Sequence, residues 1–150
     1  MSCEAWFYHL ERTGLDQALP ELLQKTLARG WRALVRTPDP ARLEHLDGWL
    51  WSFRDESFLA HGLASEPHAE RQPVLLTSGS ENLNAAQAVF LLDDAEPGPL
   101  DGFERCLVLF DGRDDEAVAA ARRRWSELKG QSLAVSYWRQ SAEGRWEKQA

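Results

Sequence analysis

The sequence predicts an α/β fold, a three-layer open sandwich around a mixed, mostly parallel central sheet. Three observations carry that prediction. Strand-like and helix-like segments alternate through the first half of the chain. The mid-chain strand candidates are near-continuous apolar runs, the pattern of strands covered on both faces. Phe90–Leu92 and Arg105–Phe110 have no helix-length segment between them, so some of the pairing is expected to be antiparallel. The 150 residues fit one domain spanning 1–150, with no internal repeat or low-complexity tract to divide it.

The elements follow in order. Trp6–Leu10 is a short aromatic run that reads as a first strand. Asp16–Ala28 places Leu19, Leu22, Leu23 and Leu27 at helical spacing, and Gly30 ends the helix. Trp31–Arg36 is the second strand. Asp39 caps the next helix and Pro40 takes its first position. That helix reaches about Trp51, with Leu43, Leu46 and Leu50 as its core stripe. Phe53–Arg71 reads mainly as a long loop. Gln72–Thr77, Ala88–Leu92 and Arg105–Phe110 are the third to fifth strands. Asp114–Lys129 is a helix, Leu133–Trp138 a sixth strand, and Ser141–Ala150 a tail that is polar apart from Trp146.

Composition removes several classes of function. No stretch approaches the roughly 18 apolar residues of a membrane span, and the N-terminus lacks a basic leader, so the expectation is a soluble, cytoplasmic protein. Cys3 and Cys106 are too few for a disulfide framework. The four histidines show no zinc-ligand spacing. The net charge of −7 opposes a phosphate-binding surface. Seven tryptophans in 150 residues point either to core packing or to protein interfaces, where indoles are enriched.

Catalytic motifs are sparse. Neither GxxxxGK[ST] nor GxGxxG follows a strand, so no phosphate cradle is predicted. Asp93 and Asp94 follow one strand, and Asp111 and Asp114 another; strand ends are where open α/β sheets place ligands. A metal-dependent phosphohydrolase or phosphotransferase would use these four acids. The competing reading makes them helix caps and turn residues. Ser78-Gly79-Ser80 lacks the second glycine of a nucleophile elbow, and His61 reads as a loop-structuring residue.

Two segments read as binding surfaces. In Asp114–Lys129, Val118, Ala121, Trp125 and Leu128 share one stripe. Arg122 and Lys129 lie on one edge of it and Arg124 on the other. An indole beside cations offers an apolar seat and charge-assisted donors, which suits an apolar, anionic peptide. A core tryptophan with solvated arginines is the alternative. The second segment holds Trp49, Trp51, Phe53, Phe58, Leu59 and Leu63. Trp51 lies about 80° around the helix from Leu43, off the core stripe. Either a partner docks here, or the loop folds onto the sheet by its own aromatics.

Leu46-Asp47-Gly48-Trp49-Leu50-Trp51, followed by Glu56-Ser57-Phe58-Leu59-Ala60-His61-Gly62-Leu63-Ala64, resembles the signature of DNA polymerase III chi subunits. Phe7-Tyr8-His9-Leu10, Gly30-Trp31-Arg32-Ala33-Leu34-Val35, Gln72-Pro73-Val74-Leu75-Leu76, Phe103-Glu104-Arg105 and Tyr137-Trp138 fit the same family in order. Ala60 departs from it, since proline commonly precedes the histidine there. The resemblance implies a Rossmann-like fold without a nucleotide site, no catalytic residues, no cofactor and no metal. It implies a heterodimer with the psi subunit, which links chi to the clamp loader. It also implies binding of the acidic, phenylalanine-terminated tail of the single-stranded-DNA-binding protein, so that contact with DNA is indirect. Carried over by motif, the psi face includes Trp51, Phe58 and Leu63. The tail site includes Arg122, Trp125, Ser126 and Lys129. Ser126 stands where a better-known branch of the family has lysine, which leaves Lys129 or Arg123 to compensate.

Overall fold

The computed structural model describes residues 3–11, 13–52, 60–100, 102–141, 143 and 145–149. Among the described residues, eight strands form one sheet in the order β3-β4-β2-β5-β6-β1-β7-β8. They are β1 (Glu4–Leu10), β2 (Ala33–Arg36), β3 (Gly62–Leu63), β4 (Val74–Thr77), β5 (Ala88–Leu91), β6 (Arg105–Asp111), β7 (Ala134–Gln140) and β8 (Trp146–Lys148). The helices are α1 (Leu15–Ala28), α2 (Pro40–Ser52) and α3 (Asp115–Gly130). A short 3-10 helix covers Ala69–Arg71.

Alternation of side chains splits the core into two clusters. One face of the sheet packs Tyr8, Val35, Phe90 and Leu107 against Leu19 and Leu23 of α1 and Leu46 and Leu50 of α2. The other packs Phe7, Leu34, Val89 and Val108 against Ala121 and Leu128 of α3, with Ala95 and Phe103 from a connecting segment. Helices on both faces explain why β2, β4 and β5 are buried at every position. Beyond α1, aromatic rings extend the first layer. Trp6 stacks on Trp138 at 4.9 Å, and Tyr8 meets Trp146 edge-on at 4.8 Å. Arg105 lies 3.9 Å from the centre of the Trp6 ring.

The strand pairing differs from expectation in one place. β5 and β6 pair in parallel, with Ala88 opposite Arg105, although no helix joins them. The described part of the connection, residues 92–100 and 102–104, has no helix, and Ala95, Leu100 and Phe103 pack it on the α3 face. The buried Arg36 guanidinium holds that connection, donating from one nitrogen to the carbonyls of Pro97 at 2.7 Å and Glu96 at 3.3 Å. Its other terminal nitrogen donates to Ser80 O at 3.1 Å. A segment of a dozen residues spans a parallel crossover once something satisfies its backbone, and here an arginine does so. The antiparallel pair is β7 with β8, in the tail that the sequence pattern leaves without structure. β3 likewise lies inside the expected long loop.

Helix boundaries follow capping chemistry. Asp39 Oδ1 accepts the Ala41 N–H at 3.0 Å ahead of Pro40. Asp114 Oδ1 accepts the N–H groups of Glu116 and Ala117 at the start of α3. Gly30, at φ +82°, ends α1 by donating to Leu27 O at 2.9 Å.

Candidate functional site

The C-terminal ends of the strands meet at a topological switch point. The chain leaves β1 into α1 on one face and leaves β6 into α3 on the other. A cleft of about 660 Å³ opens there, and Asp93, Asp94, Asp111 and Asp114 all line it. The fold therefore brings together the four acids of the metal-dependent reading, but each already has donors. Asp93 takes both Arg42 Nε and Nη2 at 3.1 Å and the Thr37 hydroxyl at 2.7 Å. Asp94 Oδ1 accepts from Arg124 at 3.0 Å. Asp111 Oδ1 accepts the Arg113 backbone N–H at 2.9 Å, and Asp114 caps α3. Among the described residues, no group of three His, Cys, Asp or Glu side chains could hold a metal ion. Capping and ion pairing account for these acids.

A second, smaller pocket of about 190 Å³ lies between α3 and the sheet. Phe7, Phe110, Val118, Ala121 and Tyr137 give it apolar walls, and Trp125 forms one side. The Trp125 ring packs edge-on against Phe7 at 5.3 Å and against Tyr137 at 6.2 Å. It is half-buried. The two readings of Trp125, core residue and binding residue, thus describe the same side chain: part of its ring holds α3 to the sheet and the rest faces the pocket. Arg122 also lines the pocket and is exposed. Among the described residues no carboxylate pairs with it.

The remaining candidates on α3 are placed differently. Ser126 and Lys129 are exposed and do not line this pocket. Arg123 is exposed and lines the switch-point cleft instead. Arg124 is buried and bound to Asp94, Glu96 and Glu127 within 3.4 Å. It holds α3 to the coil after β5 and is not available to a ligand.

Sequence spacing along α3 does not reveal the strand side of the pocket. Phe7 and Tyr137 become neighbours only because β1 and β7 pair in parallel with those two residues opposite each other. Next along the same face come His9 and Arg139, also directly opposite. His9 Nδ1 and the Tyr137 hydroxyl share a hydrogen bond. Burial pushes the Tyr137 phenol above its ordinary range, while the nearby Arg139 and Arg122 pull it back. Burial lowers the His9 pKa, and Arg139 lowers it further, against Glu11 and Asp111.

The other expected surface lies at the end of α2. Trp51 is 49% exposed, one of the two most exposed large apolar side chains described. Its ring rests on His61, with centroids 4.4 Å apart. The His61 side chain is buried and bonds the Asp47 carbonyl at 2.8 Å and Asp47 Oδ1 at 3.1 Å. That anchor returns the chain to α2 just before β3, so His61 structures the loop end. Leu63, in β3, packs partly against the first core cluster, and Phe58 lies outside the described residues. Trp49 is half-buried and turned toward α1, where its indole N–H donates to Asp16 O at 2.6 Å.

The profile of the family described as "DNA polymerase III chi subunit, HolC" matches residues 2–136. A Rickettsia prowazekii protein named "Probable DNA polymerase III subunit chi" is 21% identical over 148 residues, covering 94% of this chain and 88% of that protein. A Pseudomonas aeruginosa protein named "DNA polymerase III subunit chi" is 34% identical over 89 residues, covering 59% of this chain and 61% of its own. With the profile running through nearly every element of the sheet, this chain belongs to the DNA polymerase III chi subunit family.

Proposed function

We propose that this chain is a non-catalytic adaptor of the replicative polymerase. It joins the psi subunit, and through psi the clamp loader, to the C-terminal tail of the single-stranded-DNA-binding protein. The observation that carries the reading is the pocket on α3: an aromatic seat of about 190 Å³ whose lining includes Arg122, which no carboxylate pairs among the described residues. A terminal phenyl ring fits such a seat, and a C-terminal carboxylate suits the guanidinium beside it. Trp125 and Arg122 are the central contacts. Ser126 and Lys129 lie along the exposed side of α3, where acidic residues farther from the C-terminus would pass. The psi face centres on Trp51, with Leu63 in the edge strand β3 and Phe58, which lies outside the described residues. Contact with DNA is indirect, consistent with the net charge of −7. The protein works in the cytoplasm.

The test is a titration of the whole protein with a labelled acidic peptide ending in Pro-Phe. Binding is expected, and Arg122→Ala should weaken it by about 1–3 kcal/mol, the scale of a charge-assisted contact. No binding at low salt would refute the tail site.

A further inference from the structure

The apolar pocket continues into a polar strip that the tail-binding reading leaves unused. Along the α3 face of the sheet, Phe7 and Tyr137 are followed by His9 and Arg139, about 6.6 Å farther along the strands. Glu11 lies just beyond β1 and closes on Arg139. The Arg139 guanidinium donates to both Glu11 oxygens, at 2.9 and 3.0 Å from Nη2 and 3.3 Å from Nε. Glu11 also stands 3.6 Å from His9 Nε2. Tyr137 therefore lies between two cations: Arg122, without a carboxylate partner among the described residues, and Arg139, already gripped by one.

Three observations make Arg139 more than a surface ion pair. It lies one same-face step from a residue lining the pocket. Its pairing is a two-toothed guanidinium–carboxylate contact, the geometry that a peptide carboxylate would reproduce. The pair is also accessible, with side chains 46% and 25% exposed, so an incoming group can exchange with Glu11. A carboxylate on a bound peptide gains Arg139 only by displacing an internal carboxylate of the same shape.

We infer that Arg139 is a second anion position of this site and that Glu11 occupies it as an internal competitor for an acidic side chain of the bound peptide. The inference rests on the tail-binding reading, and it divides the labour within it. The terminal aromatic residue fills the pocket, Arg122 takes the terminal carboxylate, and Arg139 selects for acid upstream. Glu11 sets a threshold, because a peptide lacking that acid leaves the Glu11–Arg139 pair undisturbed.

The experiment compares two synthetic peptides on the intact protein. Both end in Pro-Phe; one carries aspartates upstream and the other asparagines at the same places. Glu11→Gln should tighten the acidic peptide roughly three- to fivefold, the range of an exposed ion pair, and leave the neutral one unchanged. Arg139→Gln should weaken the acidic peptide by a similar factor, again without effect on the neutral one. Thermal melts check that both variants fold. If the ratio of acidic to neutral affinity is the same in wild type, Glu11→Gln and Arg139→Gln, the second anion position does not exist, although Arg122→Ala still weakens both peptides. If neither peptide binds wild type, the tail-binding reading fails and this inference fails with it.

Discussion

The indole of Trp49 donates to the carbonyl oxygen of Asp16 at 2.6 Å, the oxygen whose helical donor would come from Pro20. Proline has no N–H, so α1 carries an orphan acceptor inside its first two turns. Trp49 reaches across from α2 to fill it. The contact ties the two helices of one layer through a hydrogen bond as well as through Leu19, Leu23, Leu46 and Leu50. Trp49→Phe keeps most of the ring and removes the donor, so it should cost about 1–2 kcal/mol of stability. Pro20→Ala restores a backbone donor to Asp16, and in that background the same change should cost measurably less. Urea unfolding of the four proteins gives the coupling; strict additivity would mean that Trp49 acts only by packing.

Much of this arrangement is legible in the sequence, and the illegible parts have physical causes. Leucine spacing marks α1 and α2, and acid capping marks α3, because both signals are local. β8 is missed because three residues with a single apolar side chain carry no period. The parallel pairing of β5 with β6 is missed because a helix usually makes that crossover, and here Arg36 stands in for one. On α3, spacing finds the Trp125 stripe, but it treats Arg122, Arg123 and Arg124 alike. Position around the helix separates them into a residue of the pocket, a residue of the cleft and a buried anchor. The strand half of the pocket depends on register, which one chain read in sequence does not reveal.

Trp51 separates interface from core. It is half-exposed and rests on a histidine that is itself held by Asp47. Trp51→Ala should therefore change the unfolding free energy of the isolated protein by no more than about 1 kcal/mol. It should abolish co-elution with the psi subunit. A variant that unfolds alone, or that still co-elutes, would remove Trp51 from the proposed psi face.

Acid should attack the cleft through Asp93. Burial alone would raise its pKa, but the hydrogen bonds from Arg42 and Thr37 and the charge of Arg42 outweigh that and hold it below the ordinary 3.8. The folded state thus binds this proton more weakly than the unfolded chain does. The resulting stability is present above about pH 4 and is lost as pH falls through the folded value. Asp93→Asn removes the charge while tolerating the left-handed backbone at φ +54°. The variant should be less stable at pH 7, and its stability should fall less steeply than that of wild type below pH 4. Parallel acid limbs for the two proteins would show that the Arg42 pairing contributes nothing.

Gly112 is the residue on which the polar strip depends most directly. It follows β6 and donates to Leu10 O at 2.7 Å, which brings its backbone against the His9 ring. A Cβ there would lie 2.0 Å from His9 Nε2. His9 is buried and bonded to the Tyr137 hydroxyl, so its ring has little room to yield. Gly112→Ala should destabilise the protein by about 1–3 kcal/mol and displace Tyr137 from the pocket wall, weakening the Pro-Phe peptide. Gly48→Ala is the matched control: an added Cβ meets nothing within 4 Å in the middle of α2. It should stabilise by about 0.5–1 kcal/mol and leave peptide affinity alone. If both alanine variants melt together and bind the peptide equally, the His9 ring moves freely and does not position Tyr137.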